Sequence, residues 1–312
     1  HFGSSPQSFL AQGLLIVSSR RIPCDCLFTM TAYAPAQQMM QANSQTLDAY
    51  LGNKKAILVK QTARGCLQEC MGCEAKSEYK ISAMDFGYMS SGGILRDGAT
   101  TQPDEMYALE QSSFCMRCCW RDGRSMTINV SEGAQAGGNS IIDYKKPCGC
   151  PLNFIIPIGE DAVECPCCCM LPELSATVDG HELKSKYICD QYCCVSKFAY
   201  SEDGQEVYRL KPDTCCFGCC PTCKCGGGRR PAIPYFFYDA NDNRITDGQS
   251  DDDNQPQIRK VFTGLAKECC TTADTFAVFF PQDADVKRKA GLLGLTFLLD
   301  FTVFERQGQD AA

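Results

Sequence analysis

Three of the five Asp-Gly dipeptides, Asp122-Gly123, Asp179-Gly180 and Asp203-Gly204, constrain this chain more than any other feature. Each is flanked by strand-like sequence, and Asp-Gly between such runs is the strongest short-range signal for a tight β-hairpin. Ser125-Met126-Thr127-Ile128-Asn129-Val130 alternates polar and apolar residues, as a half-buried strand does. Val207-Tyr208-Arg209-Leu210 repeats the pattern after the third dipeptide. Short strands joined by tight turns build an antiparallel barrel or sandwich. The 312 residues suffice for one large all-β domain or two ordinary ones, and 44% hydrophobic against 21% charged residues supplies a core.

The end of the chain has a different texture. Residues 290–304 form its most apolar segment, 15 residues interrupted by Asp300. A membrane-spanning helix needs about 20 apolar residues. An all-round apolar helix shorter than that suits the centre of a barrel, so the sequence favours a buried helix over a span. Residues 1–46, rich in Gln, Ser and Ala, read as a partly ordered N-terminal extension; residues 47–306 read as the barrel domain and 307–312 as a tail. Within the domain, 84–106 and 225–257 look like inserted surface loops, although Pro234–Tyr238 has the composition of an added strand. The chain opens on His1 rather than Met, which leaves room for a segment before it.

The net charge of −7 argues against nucleic-acid binding by phosphate neutralisation. The 25 cysteines are the compositional outlier. Such density usually marks a disulfide scaffold, but that expectation belongs to short secreted chains. Here the count is odd, adjacent pairs such as Cys193-Cys194 are awkward to bridge, and no apolar secretory segment opens the sequence. A reducing, cytosol-facing setting follows. The Cys-x-x-Cys spacings at Cys70/Cys73, Cys115/Cys118, Cys216/Cys219 and Cys220/Cys223 let two thiolates grip one zinc, though dense cysteine also produces that spacing by chance. No nucleophile elbow, Walker loop or paired histidine is present, so the chain does not read as an enzyme.

Several motifs, taken in order, resemble the phospholipid scramblase family. They are Phe262-Thr263-Gly264-Leu265, Ala273-Asp274-Thr275-Phe276, Phe280-Pro281-Gln282-Asp283-Ala284-Asp285-Val286-Lys287, Leu298-Leu299-Asp300-Phe301 and Phe304-Glu305. Upstream, Cys165-Pro166-Cys167-Cys168-Cys169 sits where scramblases carry a Cys-Pro cluster, and Ile57-Leu58-Val59-Lys60-Gln61 resembles the family's beginning.

The resemblance implies a mainly β, Tubby-like fold, an antiparallel barrel of about twelve strands wrapped around a central apolar C-terminal helix. Leu292, Leu295, Phe297, Leu298 and Phe301 would be that helix's buried residues. It implies ATP-independent, bidirectional phospholipid movement between leaflets, with membrane phospholipids as partners. The location would be a cytosol-facing membrane surface, whether plasma membrane or organelle, ciliary or mitochondrial. The alternative is a non-catalytic adaptor in a larger assembly, using the barrel as a binding module stiffened by structural zinc, with protein partners on the two insertions and the N-terminal extension.

Mapped onto this chain, the family's calcium motif runs from Thr272 to Asp283 but begins on Thr where the family has Asp. Calcium needs six to eight oxygens, and within the motif only Asp274 and Asp283 offer carboxylates, so a barrel strand over Phe276–Phe280 is the better reading, with weak calcium binding through Asp274, Asp283 and Asp285 as the alternative. The position of Cys165, Cys167, Cys168 and Cys169 makes them candidates for palmitoylation, against a buried or metal-bound cysteine patch. Asp239–Asp247 faintly suggests an EF-hand but lacks its Gly and its final Glu, and a hairpin turn fits better.

Overall fold

Alternation of inward apolar and outward polar side chains produces twelve strands that close into one barrel. In the computed structural model these are β1 (Ala56–Gln61), β2 (Glu78–Met84), β3 (Asp104–Gln111), β4 (Met126–Glu132), β5 (Ser140–Lys146), β6 (Glu173–Val178), β7 (His181–Ile188), β8 (Lys197–Glu202), β9 (Gln205–Pro212), β10 (Pro234–Tyr238), β11 (Gln257–Lys260) and β12 (Thr275–Phe279). Every strand pairs antiparallel with its neighbour in sequence, and β12 closes on β1 through Ala56 opposite Phe279 and Lys60 opposite Thr275. The topology is therefore a pure up-and-down meander, which leaves no edge strand exposed. The structure describes residues 41–62, 76–84, 89–90, 94–95, 102–114, 116–117, 123–149, 153–158, 161–166, 171–188, 195–215, 220–221, 234–261 and 274–304.

Two of the three Asp-Gly dipeptides make the expected turns. Asp179 and Gly180 have φ of 50° and 83°, and Asp203 and Gly204 have 48° and 80°. Positive φ at both central residues is what a type I′ hairpin requires, and it matches the twist of the flanking strands. Asp122-Gly123 differs. β3 ends at Gln111, which pairs with Thr127 of β4, so a longer connection, 112–125, joins these strands instead of a two-residue turn. Pro234–Tyr238 is a barrel strand, with Tyr235 and Phe237 in the core.

The closing helix, α2 (Val286–Leu299), continues as a π-helical turn, Asp300–Phe304. All of its residues from Lys289 to Phe301 are buried, so no face meets solvent. Its contacts come from around the barrel. Tyr144 of β5 donates to the Ala290 carbonyl at 2.6 Å, and Ser185 of β7 to that of Gly291. Tyr79 of β2 packs on Phe297 and Phe301, and Phe276 of β12 on Phe304. The helix therefore runs through the barrel. At 14 residues it is a core element, and among the described residues no helix is long and apolar enough to cross a membrane. Asp285 caps its start by accepting from the Arg288 N–H at 2.9 Å. Ahead of β1, α1 (Ser44–Leu47) and the following turn bury Leu47 and Leu51, and the Lys289 ammonium donates to the Leu51 and Gly52 carbonyls.

A meander sends alternate connections to opposite ends of the barrel. One end, where the last turn of the helix reaches Tyr79 and Phe276, takes the connections 62–77, 112–125, 147–172, 189–196, 213–233 and 261–274. We call it the exit end. The opposite end takes 85–103, 133–139, 179–180, 203–204 and 239–256, together with 280–285, which leads from β12 into the helix.

Candidate functional site

The described chemistry concentrates at the two mouths of the barrel. At the exit end, Glu110 sits on the inward register of β3 with Met106 and Ala108, and both Glu110 and Arg124 are almost completely buried. The carboxylate accepts from Arg124 Nε at 2.8 Å and Nη2 at 3.0 Å, from Ser112 Oγ at 2.6 Å and from the Ser77 N–H at 2.9 Å. Burial alone would raise its pKa, but the hydrogen bonds and charge of Arg124, helped by Ser112 and Ser77, hold it below the usual glutamate value. Lys146, also buried, donates to the Arg124 carbonyl, and the Arg124 guanidinium lies 5.7 Å from the Phe301 ring. Asp300 accepts from the Tyr79 hydroxyl at 2.6 Å. Polar groups thus line the interior where the helix ends, each with a charged, hydroxyl or main-chain partner. Apart from Asp300, which stood out within its apolar run, sequence reasoning missed them. Glu110 and Arg124 sit in unremarkable local sequence, and only the barrel register brings them together.

At the opposite mouth, Arg288 bridges Glu202 at 3.1 Å and Asp283 at 3.3 Å above the Tyr208 ring. The Tyr208 hydroxyl donates to Asp283 at 2.8 Å. Burial and the Asp283 carboxylate raise the Tyr208 pKa, so its proton stays in place.

The three calcium candidates do not converge. Asp274 stands before β12, its carboxylate paired with Lys260 at 2.6 Å and its N–H donated to Gln61. Asp283 and Asp285 lie beyond the other end of the same strand, a span of about 16 Å for five residues at about 3.3 Å each. One is engaged by Tyr208 and Arg288, and the other is the helix cap. One ion cannot reach both groups. Thr275–Phe279 is instead a strand buried throughout. Among the described residues no cluster of three or more metal-ligating side chains occurs.

Asp239–Asp247 is likewise consumed locally. The Asp239 carboxylate accepts from the Asn241 and Asn243 N–H groups and from the Asn243 amide, and its pKa falls accordingly. The rest of this connection folds back on the outer face of the barrel, where Arg244 lies 3.4 Å from the Phe236 ring and pairs with Asp213 and Asp252. Asp253 pairs with the buried Arg259. The acidic run is therefore partly committed to holding the loop. Burial and Asp213 push the Tyr238 hydroxyl up to about 12.

Of the acylation candidates, Cys165 falls in a two-stranded ribbon, Asn153–Ile158 with Asp161–Pro166, opposite Phe154. Cys167, Cys168 and Cys169 lie outside the described residues, as do Cys70, Cys73, Cys115, Cys118, Cys216, Cys219 and Cys223. Cys220 lies in a short ribbon with its backbone opposite Cys215. Leu292, Leu295, Phe297, Leu298 and Phe301 are each at most 1% exposed in the core around the helix.

Comparison with known proteins gives one consistent picture. Residues 242–306, which span β11, β12 and the helix, match the family model Scramblase. Phospholipid scramblase 2 of Homo sapiens is 28% identical over 202 residues, 64% of this chain and 56% of that protein. Phospholipid scramblase 1 of Homo sapiens is 28% identical over 206 residues, 65% and 53% respectively. Phospholipid scramblase family member 5 of Homo sapiens is 25% identical over 64% of this chain and 61% of its own length. The matched stretch thus spans little more than half of these curated relatives. No solved structure matches.

Proposed function

We propose that this chain, a relative of the phospholipid scramblases, acts at a cytosol-facing membrane surface, where it promotes ATP-independent movement of phospholipids between leaflets. The observation that carries the reading is the family match over residues 242–306, the segment that builds two barrel strands and the central helix. The protein works by binding and anchoring rather than by covalent chemistry. Because side chains such as Phe198, Phe237, Phe276 and Phe297 pack the interior to less than 2% exposure, a lipid would move along the outside of the barrel and not through it.

Two or more acyl chains are needed for stable attachment, and Cys165, Cys167, Cys168 and Cys169 offer several adjacent thiols for palmitate. The Cys-x-x-Cys pairs would hold structural zinc as thiolates. Calcium would bind through separate weak contacts at Asp274 and at the Asp283–Asp285 segment, because these carboxylates do not share a site.

The test is reconstitution of the purified chain into vesicles that carry a fluorescent phospholipid in both leaflets. Membrane-impermeant reductant then reports movement. Loss of the inner-leaflet signal faster than in protein-free vesicles supports the reading, and equal rates in the two would sink it.

A further inference from the structure

The connections of the meander differ by end in a way that no single motif displays. Every cysteine after Cys26, from Cys66 to Cys270, falls in a connection that leaves the exit end. None lies in a barrel strand, and none in a connection of the opposite end. Random placement along the chain would not respect an alternation that only the closed barrel defines.

Two further observations fall on the same end. Phe114, 60% exposed, is the one large apolar side chain left in solvent among the described residues, and it belongs to the connection 112–125. The single tryptophan of the chain, Trp120, lies in that connection too. Cys148, in 147–172, is exposed.

The opposite end is acidic. Asp179, Asp203, Asp283 and Asp285 are exposed there, on the two tight turns and on the segment that leads into the helix. Arg288 offsets Asp283 in part, and Lys287 and the exposed Lys55 add positive charge, but Asp48, Asp247 and Glu132 lie at this end too and the balance stays negative. In the exit-end connections, Arg and Lys nearly match Asp and Glu. A basic residue gains about 1 kcal/mol near an anionic leaflet, so an acidic end is driven from such a surface by a comparable amount per residue. Apolar and acylated groups gain by entering it.

We propose that the barrel stands on the membrane with its exit end, carrying Phe114 and the cysteine-bearing connections, against the lipid, and with its aspartate-rich end facing away. This rests on the membrane reading above and adds an orientation to it. The central helix then lies along the membrane normal inside its barrel, with its Asp285 cap on the side remote from the lipid.

The native tryptophan makes the test direct. The full chain, purified from eukaryotic cells so that acyl groups are retained, is mixed with phosphatidylcholine–phosphatidylserine vesicles containing brominated lipid, and tryptophan quenching is read. A second protein, Trp120→Phe with Ala136→Trp, moves the reporter to the exposed turn 133–139 at the acidic end. Trp120→Phe with Gln205→Trp serves if the first variant fails to fold. Quenching of Trp120 together with undiminished emission from the relocated tryptophan is the expected result. The reverse pattern, equal quenching of both, or quenching of neither by protein that co-sediments with the vesicles would overturn the orientation. Protein that does not co-sediment at all would instead overturn the membrane reading, and the orientation with it.

Discussion

The buried pair Glu110–Arg124 gives the sharpest test of how the barrel is held at the mouth where its helix ends. Replacing Glu110 by Gln keeps an acceptor for the Ser77 N–H but takes from the Arg124 guanidinium, buried beside Phe301, the carboxylate that accepts from its Nε and Nη2. Breaking one partner of a buried pair costs about 3–5 kcal/mol, because a charge then stays desolvated and uncompensated. That is on the order of a hundred- to several-thousand-fold in the folding constant. For a domain of this size it would lower the melting temperature by roughly 6–20 °C. Adding Arg124→Met removes the buried charge that has lost the Glu110 carboxylate and fills the space with a flexible apolar chain, so the double variant should regain all but about 1–2 kcal/mol. Lys146 keeps its partner throughout, since it is held by the Arg124 main-chain carbonyl. Thermal or urea unfolding of the three variants measures the cycle. If the double variant is as unstable as Glu110→Gln alone, the cost does not come from an uncompensated charge and the reasoning fails.

The same carboxyl predicts a pH response. Its folded pKa is depressed, so its contribution is complete above the ordinary glutamate value of 4.5 and is lost as pH falls below that toward the folded value. Melting temperatures of the native protein should drop on acidification through this window, and Glu110→Gln should show a flatter profile. Gly291→Ala should destabilise despite the gain of about 1 kcal/mol from helix propensity, because its Cβ would lie 2.1 Å from the Tyr200 ring, and overpacking costs about 1–3 kcal/mol. A raised melting temperature would show that the ring moves aside freely. Asp285→Ala removes the cap on the Arg288 N–H and should cost about 1 kcal/mol in urea unfolding, with Asp285→Asn close to the native value.

The local features of the fold were legible in the sequence because they depend on neighbouring residues. Asp179-Gly180 and Asp203-Gly204 adopt positive φ because their own chemistry permits it, and the alternation in Met126–Glu132 assigns each side chain to a face without outside help. The brevity of the apolar segment favoured a buried helix, and the helix is buried on every side. Asp122-Gly123 carries the same local signal, yet no two-residue hairpin joins β3 to β4, because β4 pairs with a strand that ends at Gln111. A dipeptide cannot report where its partner strand stops.

The calcium carboxylates show the other limit. Asp274 and Asp283 stand nine positions apart, close enough in sequence to suggest a loop, but an extended strand separates them in space. What sequence alone determined were the turns, the alternation and the apolar length, properties set by backbone sterics and by the period of each element. Only the tertiary structure decided that Glu110 meets Arg124, that Tyr200 presses on Gly291, and that the cysteines leave one end of the barrel while aspartates crowd the other. Those facts depend on closing twelve strands into a ring, which fixes register and the alternation of ends across distances that no local pattern encodes.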